Sequence, residues 1–394
     1  MLDGLRVVEV ALLAPDALGM HLADLGADVV KVEDTGPGDY TRQVGAAHVA
    51  GLSFLHLRWN RGKRSVAIDL RDPDGAAVFR DLATASEVVI EGLRPGALAR
   101  RGLGYEALAA VNPALVLCSL SGFGQTGPYR DLATHGVAYD AYAALAPAET
   151  TAEGHAAIPR RYYDVGTQAG ALYATVAVLA AVLQARATGH GVHLDIAQAD
   201  AAVAWQAGAL DPRLSGVSVD RSGPALSESV RYQYYATADD RFVLFQASER
   251  HFFERFCRAI GREDLLEREP GAEFGEHARG DRELRQALAA IFATRTQAEW
   301  VQLFVDADVP GGPVHTVPEL VDDPQFQARA QLVEQQHPVA GALRLLGTPI
   351  RTGEPSRSLR PAPGHGEHTD EVLRDVLGYD AGRIARLRRR GAVI

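Results

Sequence analysis

Over the first 120 residues, short β-rich runs alternate with stretches of helical periodicity, and this alternation is the strongest constraint on the fold. Leu5-Arg6-Val7-Val8-Glu9-Val10 reads as a strand, and Pro15-Asp16 opens a helix with Leu18, Leu22 and Leu25 at helical spacing. Gly26 closes that helix, and Val29-Val30-Lys31-Val32 is the second strand. Residues 65–70 repeat the strand pattern, and Asp72-Pro73 follows as N-cap and first helical residue. Residues 87–90 and 115–120 add two more strands with helical stretches between them. Repeated βα units imply a parallel sheet with helices on its faces, so the expected fold class is α/β with a Rossmann-like large domain. After the first strand comes Ala11-Leu12-Leu13-Ala14-Pro15, which has no GxGxxG to bring backbone close to a pyrophosphate. No GxxxxGK[ST] loop occurs, so nucleotide triphosphate hydrolysis has no support in the sequence.

The pattern changes near Val230. Residues 232–236, a polar turn at Asp239-Asp240 and residues 242–246 read as a β-hairpin, followed by helices over 249–260, 282–292 and 297–305. Pro310-Gly311-Gly312-Pro313 is read as a hinge, and the last stretch returns to strands and two terminal helices. The expected organisation is a large Rossmann-like domain over 1–225, a small α+β domain over 226–325, and a segment over 326–394 that returns to the large domain.

Composition narrows the function. The length of 394 residues suits two or three domains, and 47% hydrophobic with 23% charged residues is ordinary for a globular protein. A formal net charge of -10 disfavours nucleic acid, whose phosphates require clustered cations, but leaves room for a small anion on a local arginine patch. Cys118 and Cys257 are the only cysteines and belong to no CxxC or Cys/His cluster, so a reducing compartment is expected and a structural zinc site is not. The apolar run over 170–183 is shorter than a membrane span needs and reads as a buried helix. The strand pattern begins directly after Met1-Leu2-Asp3-Gly4, leaving no room for a signal peptide, and a cytoplasmic, non-membrane protein is expected. Of the 40 basic residues only Lys31 and Lys63 are lysines, so Schiff-base chemistry would have to rest on one of them.

Several segments, in order along the chain, resemble the family III CoA-transferases (the CaiB/BaiF family). That family includes formyl-CoA transferase, carnitine-CoA transferase and α-methylacyl-CoA racemase. The matching stretches begin with Leu2-Asp3-Gly4-Leu5-Arg6-Val7 and Leu25-Gly26-Ala27-Asp28-Val29-Val30-Lys31-Val32-Glu33. Asn60-Arg61-Gly62-Lys63-Arg64-Ser65 and Arg94-Pro95-Gly96-Ala97-Leu98 follow. The most distinctive is Ser121-Gly122-Phe123-Gly124-Gln125-Thr126-Gly127-Pro128-Tyr129, and Gly366-Glu367-His368-Thr369-Asp370-Glu371 matches near the end. The resemblance implies an interlocked homodimer, an acyl-CoA and a small carboxylic acid as substrates, and no tightly bound cofactor. It also implies chemistry where the large and small domains meet.

For the nucleotide end of CoA, the resemblance points to Arg71 and Arg100, beside Arg101, with Ala14 and Leu93 lining the groove. Guanidinium forks suit phosphate oxygens; the alternative is solvated surface charge. Asp34 stands where some members carry a phosphate-facing arginine. For the acyl end, the family's aspartate attacks the thioester carbonyl, giving a mixed anhydride and CoA thiolate, and an enzyme-bound thioester then passes CoA to an acceptor acid. The candidate is Asp164, just before the apolar helix, where backbone N–H groups could stabilise an oxyanion. An ungapped count back from Gly170 puts the family position on Gly166, so Asp164 either replaces that aspartate, or the nucleophile is lost and Asp164 is a helix cap. His135, in Thr134-His135-Gly136, matches the racemase histidine, and Glu249 matches the acid that supports it, while the racemase aspartate is Gly136 here. His365 and His368 lie in a loop with no second ligand pair, so no metal site is expected, and the glycine run that covers the site in some transferases is absent.

The leading expectation is an acyl-CoA:carboxylate CoA-transferase using Asp164. The alternatives are a 2-methylacyl-CoA racemase-like enzyme using His135 with Asp164 or Glu249, and a non-catalytic acyl-CoA-binding relative.

Overall fold

Six strands build one all-parallel sheet in a computed structural model that describes residues 1–218, 226–266, 277–353 and 357–394. They are β1 (Arg6–Val10), β2 (Asp28–Glu33), β3 (Arg64–Ala67), β4 (Val88–Glu91), β5 (Val116–Ser121) and β6 (His193–Ala197). Their spatial order is 6-5-4-1-2-3, the doubly wound Rossmann arrangement, and the order reverses between β1 and β4. Five of these strands were legible as apolar runs, because parallel strands covered on both faces need no polar alternation. The sixth was not, since His193-Leu194-Asp195-Ile196-Ala197 is an edge strand in which only Ala197 is buried and His193 and Asp195 are exposed.

The chain divides into two compact units, Met1–Asp211 with Ala330–Ile394, and Pro212–Arg329. The first contains helices α1 (Asp16–Asp24), α2 (Pro73–Thr84), α3 (Val137–Tyr142), α4 (Val165–Thr188) and α5 (Gln198–Trp205). The second holds an antiparallel sheet of β7 (Gln233–Ala236), β8 (Phe242–Phe245) and β9 (Gly311–Val314). Helices α6 (Arg250–Ile260), α7 (Arg282–Phe292) and α8 (Gln297–Asp306) belong to this unit, whose core includes Phe245, Phe253, Phe256, Phe292 and Trp300. The hairpin β10 (Leu332–His337) and β11 (Gly341–Leu346) and helices α9 (Thr369–Asp375) and α10 (Ala381–Arg389) belong again to the first unit.

Alternation along the parallel strands assigns side chains to two cores. Val8, Val30, Val66 and Val89 face Phe79 and Leu82 of α2 together with Leu373 of α9 and Leu387 of α10. Val7, Val29, Ile90 and Cys118 face Leu18 and Leu22 of α1 and Ala174, Val178 and Val182 of α4. The Asp72 carboxylate accepts from the N–H of Asp74 (2.8 Å) and Gly75, with Pro73 at the first helical position of α2.

Two sequence expectations need correction. The segment read as a hinge is β9, paired antiparallel with β8 from Phe242↔Val314 to Phe245↔Gly311. Pro313 is tolerated because β9 is an edge strand, and Gly311 lies so close to Phe304 that a Cβ would stand 2.7 Å from its ring. The apolar helix α4 buries only one face; Leu172, Val176 and Leu183 on the other are exposed. Among the described residues α4 is the one helix long and apolar enough to cross a membrane, and 56% of its most apolar window is buried.

Candidate active site

The carboxyl ends of the parallel strands open onto two cavities in the first unit. The larger, about 540 Å³, is lined by Leu12–Pro15 after β1, 92–95 after β4, 120–123 after β5 and Gln198 after β6. Tyr40, Leu55, Trp59, residues 130–136, Tyr139, Asp164 and Thr167 complete its wall. The smaller, about 240 Å³, lies at the ends of β1, β2 and β3 and includes Asp34, Arg71 and Arg101. Leu12 and Leu93 line both, so the cavities meet at the point where strand order reverses, the usual ligand crevice of such sheets.

The 11–15 loop between them is held from below by a fully buried ionic network. Lys31 donates to Ala11 O (3.0 Å) and Asp16 Oδ1 (2.6 Å) and pairs with Asp39 Oδ2 (2.8 Å). Lys63 donates to both Glu9 oxygens (2.6 and 2.9 Å), to Asp16 O (2.9 Å) and to Asn60 Oδ1 (3.1 Å). Glu9 reaches across α1 only because residue 19 is glycine, where a Cβ would stand 1.8 Å from Glu9 Oε2. Burial raises the Asp16 carboxyl well above the usual range, although Lys31 pulls it down. Burial opposes the charge on Lys31 too, but Asp16, Asp39 and Glu9 outweigh it and hold the ammonium protonated. Lys31 is therefore a structural cation, and the Lys63 amine is buried with its hydrogen bonds committed to Glu9, Asp16 and Asn60, so neither lysine is free for Schiff-base chemistry. The loop itself is strained: Leu13 has φ 60°, and its N–H donates to Thr41 Oγ1 at 3.0 Å.

Asp164 stands at the N-cap of α4 with φ 50° and ψ 49°, a left-handed conformation uncommon outside glycine, and makes no side-chain cap. Its half-buried carboxylate lines the larger cavity and accepts from the Thr167 hydroxyl at 2.8 Å. Burial raises its pKa; the Thr167 hydrogen bond works against that, and the Asp140 charge adds to it. The cap is supplied by Asp140 of α3 instead, whose carboxylate accepts from the N–H of Val165 (2.9 Å) and Gly166 (2.7 Å). Those N–H groups, expected from the sequence to be available to an oxyanion, are thus occupied. A Cβ on Gly166 would stand 2.7 Å from Tyr139 Cβ and 3.1 Å from Gln198 O, so position 166 admits no carboxylate.

Of the residues singled out from the sequence, Ala14, Leu93, His135 and Asp164 share the larger cavity. His135 is exposed, and Gly136 beside it (φ 39°) lies against Asp164, where a Cβ would stand 3.6 Å from Oδ1. Arg71 and Arg101 share the smaller cavity with Leu93. Arg71 is exposed and bidentate to Asp69 (2.8 and 3.1 Å), and Arg101 donates to Ala97 O at 2.7 Å. Arg100 lines neither cavity and donates to Pro95 O at 3.2 Å. Asp34 accepts from the N–H of Gly36 (2.9 Å) and Gly38 (3.0 Å), which ties its carboxylate to its own turn. Glu249 belongs to the second unit, as the N-cap of α6.

His365 Nε2 contacts Asp34 O at 2.7 Å and His368 Nδ1 accepts from Ser65 N at 3.3 Å, so the C-terminal histidines anchor strand ends. Both cysteines are buried free thiols pushed up to about 12 by burial, and neither can serve as a thiolate nucleophile. Sequence reasoning missed Asp140, Thr167 and Gln198.

The sequence profile of CoA-transferase family III matches residues 2–369. A succinyl-CoA:glutarate CoA-transferase of Homo sapiens is 30% identical over 396 residues, covering 100% of this chain and 90% of its own length. A succinate–glutarate CoA-transferase of Agrobacterium fabrum is 33% identical over 385 residues, covering 95% of each. A succinyl-CoA–D-citramalate CoA-transferase of Chloroflexus aurantiacus is 32% identical over 392 residues, covering 98% of this chain and 96% of its own. Among solved structures, a CAIB/BAIF family protein from Brucella suis is similar with a TM-score of 0.74 at 30% identity, covering 95% of this chain and 98% of the other.

Proposed function

The chain belongs to CoA-transferase family III, and we propose that it moves coenzyme A from an acyl-CoA to a small free carboxylic acid through covalent catalysis at Asp164. The observation that carries this reading is the Asp164 carboxylate itself: half-buried, relieved of capping by Asp140, and facing the cavity at the sheet's switch point. Asp164 attacks the thioester carbon, and the C–S bond breaks to give a mixed anhydride and CoA thiolate. The thiolate attacks the aspartyl carbonyl, releasing the first acid and leaving an enzyme-bound thioester. The acceptor carboxylate then attacks that thioester, expelling CoA thiolate and forming a second mixed anhydride, and the thiolate attacks the acceptor's carbonyl carbon so that Asp164 leaves as the free carboxylate. The overall exchange replaces one CoA thioester by another of similar energy, so no external energy source is needed.

The smaller cavity suits the nucleotide end of CoA, with Arg71 and Arg101 as phosphate partners and Arg100 on the adjoining turn. The pantetheine arm would pass between Leu12 and Leu93 to reach Asp164. Relatives named for succinyl-CoA and for glutarate or citramalate make succinyl-CoA with short dicarboxylic acids the first substrates to try. A homodimer accords with the exposed apolar stripe on α4. The test is incubation with succinyl-CoA and a panel of four- to six-carbon dicarboxylic acids, followed by chromatography for new CoA thioesters. A new thioester is expected. The absence of one, with deuterium appearing at the α-carbon of a 2-methylacyl-CoA, would move the reading to proton exchange by His135 and Asp164, which share the cavity.

A further inference from the structure

Gln198, the first residue of α5, is 3% exposed and forms part of the wall of the Asp164 cavity. Its Oε1 has no hydrogen-bond partner among the described residues. The stem is wedged against α4, where a Cβ at Gly170 would stand 2.9 Å from Gln198 Cγ. Packing therefore fixes the stem and leaves the amide oxygen unmatched. A buried polar group without a partner is rare, because it gives up hydrogen bonds to water and receives nothing in exchange. In the wall of a substrate cavity, such a group marks where the ligand completes the bond. With no neighbour to hold it in one sense, the planar amide can present either its N–H₂ or its oxygen.

The reaction decides which end is used. Attack by Asp164 pushes the carbonyl π pair onto oxygen, and a buried oxyanion needs donors aimed at it. The start of α4 is the obvious source, but Val165 and Gly166 both give their N–H to Asp140, and the Thr167 hydroxyl donates to Asp164 itself. We infer that Gln198 is the missing donor: its N–H₂ binds the acyl carbonyl oxygen and holds it while the C–O bond to Asp164 forms and the C–S bond breaks. This rests on the transfer reading above. Gln198 stabilises the oxygen that carries the extra electron pair, and the pair returns to re-form C=O as CoA leaves as thiolate.

The test compares Gln198→Met, which keeps length and removes the amide, with Gln198→Glu, which keeps shape and replaces the donor by an acceptor. Both are expected to lower kcat by roughly 10²- to 10³-fold, the effect of losing one oxyanion donor, with KM for acyl-CoA changed only a few-fold. The first-turnover release of CoA should slow by the same factor, while circular dichroism and melting temperature stay near those of the unmodified enzyme. Should the Met variant not fold, the Glu variant carries the same readout. Unchanged kcat in a folded variant, or a change confined to KM, overturns the inference and leaves the transfer reading intact. If the unmodified enzyme transfers CoA to no acid, both fall together.

Discussion

Asp164 combines a left-handed backbone, a desolvated carboxylate and a single hydroxyl donor. The first two are unfavourable for folding and the hydroxyl offsets only part of the desolvation, while backbone strain of this kind costs on the order of 1–3 kcal/mol. Replacing it by glycine, which accepts φ 50° freely, should leave the melting temperature unchanged or raised while abolishing transfer. Melting curves and a thioester assay on Asp164→Gly check both halves, and a destabilised variant would contradict the strain argument. The pH dependence follows from burial. Only the ionised carboxylate attacks, and burial raises its pKa, so the acid limb of the kcat/KM profile should lie above the ordinary aspartate range. At the nucleotide end, Arg71→Ala should weaken CoA binding by about 1–3 kcal/mol, as for loss of a charge-assisted hydrogen bond. Calorimetry giving an unchanged affinity would return Arg71 to a surface pair with Asp69. Asp164, His135, Ala14 and Leu93 were legible as residue types in matching motifs. Gln198 was not, because its importance lies in a hydrogen bond it lacks, and no sequence pattern encodes a missing partner.

The element that organises the site is the start of α4, and there sequence and structure part most instructively. Counting without gaps from Gly170 lands on Gly166, but a helix begins where its backbone donors find acceptors, not where a motif count begins. Asp140, 26 positions earlier in the chain, supplies those acceptors through Val165 and Gly166, which frees Asp164 to turn toward the cavity. A contact between residues so far apart leaves no local trace in the sequence. Asp140→Ala should therefore cost about 1–3 kcal/mol of stability, the range for a buried charged cap, and should also impair transfer by releasing Asp164 from its place. Denaturant melts and initial rates measure the two effects, and full activity in a destabilised variant would separate the cap from the site. Strands buried on both faces are readable in the sequence, whereas β6 and β9 are not, because both are edge strands whose composition tolerates polar residues, glycine and proline.

Across the whole molecule, the repeating βα pattern was readable from sequence, while the 6-5-4-1-2-3 order and the switch point were not, since strand neighbours are fixed by packing. The two lysines stood out by count, yet their burial beneath the 11–15 loop required coordinates. The same buried region predicts acid sensitivity. Burial, reinforced by Arg42, holds His56 at a pKa of about 3 against 6.5 for an ordinary histidine. The unfolded chain then binds a proton that the folded chain refuses, so this contribution is full above pH 6.5 and is lost as pH falls toward 3. It supplies at most about 1.4 kcal/mol per pH unit. Urea midpoints measured between pH 7 and 4 should fall, and His56→Gln should flatten the slope. The exposed stripe of α4 predicts self-association, and sedimentation at nanomolar concentration should find a dimer; a folded monomer would contradict it. The central claim, CoA transfer through Asp164, is tested most directly by mass spectrometry of the protein after incubation with succinyl-CoA and trapping with hydroxylamine or borohydride. One modified residue, Asp164, is expected. An unmodified Asp164 in an enzyme that still forms new CoA thioesters would contradict it.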